Sequence, residues 1–124
     1  MQFHKSILVI DDDDAIRRLV ARQLSTQYTV YEARDAMAAA VILAQIEPPN
    51  AIVCDRMMPG TSGTEFTRAI KSDAKYKHVR IIFLSALGSA ADLVAGINAG
   101  ARHYITKPFK MDDLMVKVER ALAE

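Results

Sequence analysis

The chain has 124 residues, 51% of them hydrophobic and 25% charged, with a formal net charge of +1. That length suits one domain, which can bury roughly two thirds of its unfolded surface in a single core. The near-zero charge excludes a global attraction to nucleic acid or anionic lipid, and the longest apolar run, Ala36 to Ala44, falls far short of the ~20 residues of a membrane span. The N-terminus meets acids too soon for a secretory signal, and the single cysteine, Cys54, cannot form an internal disulfide. One cytoplasmic domain over residues 1–124 is expected, undivided by repeats or linkers.

The first strand is read at Ile7–Ile10, inside the stretch "SILVIDDDDAIRRLV". Four aspartates follow it directly, and the apolar residues then return at helical spacing over Asp14–Thr26. A strand at Thr29–Glu32 and a helix at Asp35–Ile46 come next, stopped by Pro48-Pro49. The pattern repeats with a strand at Ala51–Cys54, a turn at Pro59-Gly60 and a helix at Gly63–Ser72. It repeats again with a strand at Arg80–Leu84 and a helix at Ala90–Ala99, then ends with a strand at Arg102–Ile105 and a helix at Asp112–Ala123. Several helices open on Asp or Ser, whose side-chain oxygens cap bare amides.

Five strands alternating with five helices imply an α/β domain with a parallel sheet covered on both faces, because parallel neighbours need a crossover. The uninterrupted "ILVI" and "AIVC" suit strands buried on both sides. In such sheets ligands sit outside the carboxyl ends of the strands, so the residues that end strands carry the functional information. Strand one ends in Asp11 and Asp12, strand three in Asp55 and strand four in Ser85, while strand five runs into Lys107-Pro108.

Asp13 and Asp14 are accounted for by the positive end of the following helix. Asp11 and Asp12 lie too near the strand to be free in solvent, and Asp55 ends an otherwise apolar run. Three crowded carboxylates raise one another's pKa unless a cation neutralises them. An all-oxygen ligand set without histidine or cysteine suits a hard divalent ion such as Mg²⁺; a purely structural acidic cluster stands as the alternative. An aspartate can also act as a nucleophile and form an aspartyl-phosphate, a reaction whose charge Mg²⁺ and a lysine such as Lys107 would balance. "GTSG" (residues 60–63) lacks the GK[ST] ending of a P-loop.

Together "VIDDDDAIRRLV", "IVCDRMMPGTSG", "IIFLSA" and "GARHYITKPF" resemble the receiver domain of two-component response regulators over essentially the whole chain. The resemblance implies a doubly wound, flavodoxin-like sheet of strand order 2-1-3-4-5 with five helices. It implies Asp55 as phosphoacceptor, Asp11 and Asp12 as Mg²⁺-holding acids, and the backbone carbonyl of Met57 as a further metal ligand. Ser85 matches the hydroxyl that bonds a phosphoryl oxygen, Lys107 the lysine that pairs with the phosphate, and Tyr104 the switching aromatic. Lys107-Pro108 corresponds to a cis peptide, a state found in only ~5–6% of X–Pro bonds. Gly63 is expected to let the loop enter the third helix.

The implied function is to take a phosphoryl group from a sensor histidine kinase, a phosphotransfer protein or a small phosphodonor. The face made by the fourth helix, fifth strand and fifth helix would then change for a downstream protein target, an output domain or a homodimer. No turnover as an enzyme is expected beyond self-phosphorylation and slow self-dephosphorylation. Choice of phosphodonor is expected on the first helix, Asp14–Gln23, and adjoining loops. The sequence has no spare basic helix for a DNA groove, so no direct nucleic-acid contact is expected. A natural single-domain protein and an N-terminal receiver parted from its output domain are both compatible with an end at Glu124.

Three other readings are weighed against particular residues, and the last of them stands as the alternative. A haloacid-dehalogenase-type enzyme wants an aspartate two past the nucleophile, where Met57 stands. A flavin module wants a phosphate-binding loop where this chain has acids. An unphosphorylated receiver-like binding module usually lacks an acid or the lysine, and all are present here.

Overall fold

The structure is a computed structural model and describes residues 5–85 and 103–124. Five parallel strands form one sheet: β1 (Ser6–Ile10), β2 (Thr29–Ala33), β3 (Ala51–Asp55), β4 (Arg80–Ser85) and β5 (His103–Thr106), in the order β2-β1-β3-β4-β5. The described residues include four α-helices: α1 (Asp14–Leu24), α2 (Ala36–Leu43), α3 (Gly63–Lys71) and α4 (Met111–Ala123). α4 is the fifth helix of the sequence pattern; the helix expected at 90–99 and the strand residue Arg102 lie outside the described residues.

Alternation along each buried strand divides the core in two. Leu8, Ile10, Ile52, Cys54, Ile81 and Phe83 pack with Ala39 and Leu43 of α2 and Phe66 of α3. Their neighbours Ile7, Val9, Val53, Ile82 and Leu84 pack with Val20 and Leu24 of α1 and with Leu114, Val118 and Ala121 of α4. The sheet is therefore doubly wound, with α1 and α4 on one face and α2 and α3 on the other. Among the described residues, no helix is long and apolar enough to cross a membrane.

Capping follows the sequence. Asp13 accepts from the Ile16 amide at 3.2 Å, Asp35 from Ala38 at 2.8 Å and Ser62 from Glu65 at 3.1 Å. Two helices end earlier than expected. α1 stops at Leu24, because Ser25 and Thr26 turn their hydroxyls back onto the carbonyls of Ala21 and Gln23, both at 2.7 Å. α2 stops at Leu43 rather than Ile46; Pro48 disfavours helical backbone at Glu47, and the chain between leaves through a turn. A 3-10 turn at Ala74–Tyr76, capped by Asp73, was not anticipated.

Register places the functional strand ends level with one another. Ile10 stands opposite Ala33 and Cys54, Asp55 opposite Leu84, and Ser85 opposite Thr106. Asp11, Asp55, Ser85 and Lys107 therefore meet at one edge.

Candidate functional site

Asp11 continues the β1 ladder by one bond, its amide donating to the Ala33 carbonyl at 3.1 Å, so its side chain remains inside the sheet edge and is fully buried. Its Oδ1 accepts from the Asp13 amide at 2.9 Å, which folds the acidic turn back over it. Asp12 follows where the chain leaves the sheet, and it is exposed, contrary to the expectation that both acids would be shielded. It lies at the mouth of the site and Asp11 at the floor. Asp55, 6% exposed, completes the group: one carboxylate oxygen from each of Asp11, Asp12 and Asp55 lies within 4.8 Å of the others.

Lys107 reaches this cluster from the far side of the sequence. Its amide donates to the Ser85 carbonyl at 2.6 Å and the Lys107–Pro108 peptide is cis, as expected. Its Nζ bonds Asp11 Oδ2 at 3.0 Å and stands 3.7 Å from Asp55 Oδ1. One ammonium thus lies against two of the three carboxylates. Burial pushes the Asp55 carboxyl up to about 7, helped by the charge on Asp11 and by a hydrogen bond with Asp12; Lys107 and the Met57 amide, which donates to Asp55 Oδ1 at 3.3 Å, act against that rise.

An all-oxygen set with excess negative charge, buried on one side and open on the other, fits a hard divalent cation, since such a cation relieves both the burial of Asp55 and its repulsion by Asp11. Asp11, Asp12 and Asp55 are the side chains that would hold it. The other sequence-named residues surround them. Ser85 is fully buried at the end of β4, and Met57 is exposed beside Asp55. The half-buried Tyr104 meets the Phe83 ring edge-on, centroids 6.0 Å apart. Its hydroxyl is buried without a hydrogen-bond partner among the described residues, unlike the wet hydroxyl of an ordinary edge tyrosine. Burial pushes the Cys54 thiol up, so this cysteine is inert packing.

Two further contacts shape the site. Arg17, on α1, donates to the Asp11 carbonyl at 3.0 Å while pairing with Asp14 at 2.6 Å and Glu32 at 3.2 Å. It ties the acidic turn to α1 and β2. The only sequence signal for it was the Asp14–Arg17 spacing of three, which many solvated helix faces share. The second contact is at Gly63, where α3 starts hard against the end of β3. Its amide donates to the Arg56 carbonyl at 2.9 Å, and a Cβ there would lie 2.3 Å from the Asp55 carbonyl oxygen and 2.9 Å from the Arg56 Cα.

Neither backbone atom can yield without moving Asp55. Gly63→Ala is therefore expected to destabilise the fold by about 1–3 kcal/mol, as overpacking does. Urea titration of both proteins checks this, and equal midpoints would show that α3 can move away freely. Beside Lys107 an apolar groove of about 380 Å³ opens, lined by Ile16, Leu19, Pro108, Phe109 and Met111.

Comparison with known proteins agrees with this geometry. Residues 7–119 match the response regulator receiver domain family. The chain is 35% identical over 119 residues to the phosphate regulon transcriptional regulatory protein PhoB of Pseudomonas aeruginosa, covering 95% of this chain and 52% of that protein. It is 38% identical over 117 residues to the response regulator MprA of Mycobacterium ulcerans, covering 94% of this chain and 49% of that one. The chain thus spans about half the length of these curated relatives.

Among solved structures, the chemotaxis response regulator CheY4 of Vibrio cholerae superimposes with a TM-score of 0.89 at 28% identity, covering 96% of this chain and 99% of that one. DrrB, an OmpR/PhoB homologue of Thermotoga maritima, superimposes at 0.86 with 30% identity, over 98% of this chain and 54% of that one. The fold is the open, doubly wound α/β sheet of the CheY type. The chain belongs to the response regulator receiver domain family, part of two-component signalling.

Proposed function

We propose that this receiver accepts a phosphoryl group on Asp55 in the presence of Mg²⁺ and passes the signal on through a change in its β4–β5 side. The observation that carries this reading is the gathering of Asp11, Asp12, Asp55 and Lys107 at one sheet edge. In the transfer an Asp55 carboxylate oxygen attacks phosphorus. The bond from phosphorus to the imidazole nitrogen of a histidine kinase or phosphotransfer protein breaks, or the bond to the carboxylate oxygen of acetyl phosphate. The leaving group departs with that electron pair and Asp55 becomes an acyl phosphate.

A bound Mg²⁺, with the Met57 carbonyl as a further ligand, would supply positive charge against the transferring oxygens. Lys107 supplies further positive charge beside Asp55 and favours its ionised form. The groove between α1 and Lys107 supports docking of the donor beside the acceptor.

With Asp55 modified, Ser85 bonds a phosphoryl oxygen and Tyr104 follows it. The face that partners read would comprise β5 and α4, where an output domain, a downstream protein or a second copy binds. Two arrangements separated by a few kcal/mol suffice for such a switch. The similar DrrB receiver domain, solved as "BeF3 activated", supports the idea that the fold has an activated state. The domain acts in the cytoplasm as a phosphoacceptor rather than a turnover enzyme, and it makes no nucleic-acid contact of its own.

Intact-mass analysis after incubation with acetyl phosphate tests the reading. A gain of one phosphoryl group is expected only with Mg²⁺ and is lost in Asp55→Asn. A folded parent protein that gains none, with a kinase also tried, would leave a protein-binding module. The Arg17 clamp adds a second expectation. Removing an outer contact that fixes a metal-ligand loop typically costs 10–100-fold in metal affinity, so Arg17→Met should weaken Mg²⁺ binding by about tenfold or more. Calorimetric titration with Mg²⁺ measures it, and an unchanged affinity would make the clamp irrelevant to the site.

A further inference from the structure

The methionines of the described residues differ widely in access to solvent. Met58 is 7% exposed within the core, and Met111 and Met115 are half-buried against it, whereas Met57 is 60% and Met37 79% exposed. A thioether is open to two-electron oxidation, and susceptibility follows exposure. The sulfur of Cys54 is fully buried and burial pushes its thiol up, so it offers an oxidant no thiolate. A peroxide reaching these residues therefore meets Met57 and Met37 first.

Those two sulfurs border different things. Met37 belongs to α2, which packs on the edge strand β2, two strands away from the β3 strand that ends in Asp55. Met57 stands two residues past Asp55, and its amide donates to Asp55 Oδ1 at 3.3 Å, which fixes the residue beside the acceptor. Its Sδ accepts from Arg56 Nη1 at 3.6 Å. A thioether sulfur has two lone pairs and is a weak acceptor, so this contact leaves a lone pair for reaction.

The reaction with hydrogen peroxide is simple to balance. The free Sδ lone pair attacks one peroxide oxygen, the O–O bond breaks, and the departing hydroxide takes the proton left on the sulfur-bound oxygen and leaves as water. Sulfur loses the two electrons that the peroxide gains. The sulfoxide oxygen is a strong hydrogen-bond acceptor where the thioether was nearly apolar. Arg56 bonds such an oxygen with the assistance of its charge, and the oxygen can also hold a water.

We propose, resting on Asp55 as the phosphoacceptor, that Met57 is an oxidation site at the rim of the acidic cluster and that its sulfoxide shortens the life of the phosphoryl group. An acyl phosphate decays when water attacks phosphorus; the bond to the Asp55 oxygen breaks, the carboxylate leaves with the electron pair, and the water's proton passes to solvent. A sulfoxide beside Asp55 orients that water, which the thioether does not. Loss of the phosphoryl group should quicken about two- to tenfold, the worth of one hydrogen bond gained in the transition state.

The test starts with graded hydrogen peroxide on the unphosphorylated full chain, followed by digestion and fragment-ion mass spectrometry. Sulfoxide is expected at Met57 and Met37 well before Met58, Met111 and Met115. Oxidised and untreated protein are then loaded with acetyl phosphate and Mg²⁺, freed of donor, and followed by intact mass. Decay should be faster after oxidation and return to the untreated rate after methionine sulfoxide reductase. Met37→Leu should respond to peroxide as the parent does, whereas Met57→Leu, whatever its own rate, should decay equally before and after treatment. Oxidation of Met58 as early as Met57, unchanged decay in a chain oxidised at Met57, or a response that survives in Met57→Leu would overturn the proposal. Untreated protein that takes up no phosphoryl group would overturn the acceptor reading, and this proposal with it.

Discussion

Lys107→Met should destabilise the protein, and the loss should be larger at pH 8 than at pH 5. Asp11 is fully buried and its Oδ2 takes a bond from Lys107 at 3.0 Å, while Asp55 Oδ1 lies 3.7 Å from the same ammonium. Breaking a buried pair by removing one partner costs ~3–5 kcal/mol, and because the Lys107 side chain keeps 17% exposure we expect about 1–3 kcal/mol here. Lys107 is also what restrains the rise of the Asp55 pKa, so without it Asp55 stays protonated to higher pH.

At pH 5 Asp55 holds its proton with or without Lys107, so only the loss at Asp11 is felt; as pH rises past about 7 the loss at Asp55 adds to it. Mg²⁺ should recover part of it. Phosphoryl acceptance from acetyl phosphate should slow by about tenfold or more, the scale of losing one charge-stabilising donor. Denaturant titrations at the two pH values check the stability claim. An equal loss at both would mean that Lys107 matters through its packing and not through the acids.

The parent protein carries the same linkage. Asp55 titrates near 4 in an unfolded chain and is pushed up to about 7 in the metal-free fold. Between those values the folded state holds a proton that the unfolded state has released. Stability from this group must therefore fall as pH rises from about 4 to about 7 and level off above. Asp14, lowered by its pairing with Arg17, acts in the opposite sense and only below its ordinary value of 3.8, so the two windows do not overlap.

Mg²⁺ binds the ionised carboxylates, so it should stabilise strongly at pH 8 and weakly at pH 5. A concentration 100 times the dissociation constant gives about 2.7 kcal/mol. Urea midpoints from pH 5 to 8, with and without Mg²⁺, should show the two curves diverging as pH rises. Asp55→Asn should flatten the metal-free curve, and the difference between variant and parent cancels histidines common to both. A parent that gains stability between pH 5 and 7 relative to Asp55→Asn, or a Mg²⁺ effect independent of pH, would contradict the account.

Much of this site could be read from the chain because of where strands end. An uninterrupted apolar run such as Ile7–Ile10 or Ala51–Cys54 fixes a buried strand, and in a parallel sheet the residue after such a run must point out at the ligand edge. That reasoning found Asp11, Asp55, Ser85 and Lys107 without any knowledge of distance. It did not find how far each was buried. Asp11 and Asp12 are neighbours in sequence, yet only Asp11 keeps its place in the ladder, through a bond to Ala33 that local pattern does not encode.

Arg17 escaped notice because its partners Asp11, Asp14 and Glu32 come from three elements. α2 was overextended because its alanines continue the helical pattern past the point where the two prolines draw the backbone out of it. The steric role of Gly63 depends on the approach of α3 to β3, a tertiary fact.

The central claim is chemical: one particular carboxylate becomes an acyl phosphate. Borohydride reduces an acyl phosphate to the alcohol, converting aspartyl phosphate to homoserine, and leaves free carboxylates untouched. After reaction with acetyl phosphate and Mg²⁺, reduction and digestion, mass spectrometry should show homoserine at position 55 in the peptide containing Ala51 to Arg56, and unaltered aspartate at 11 and 12 in the peptide containing Ser6 to Arg17. Homoserine at Asp11 or Asp12 instead, or at no position in a folded protein, would contradict the assignment of Asp55 as the acceptor.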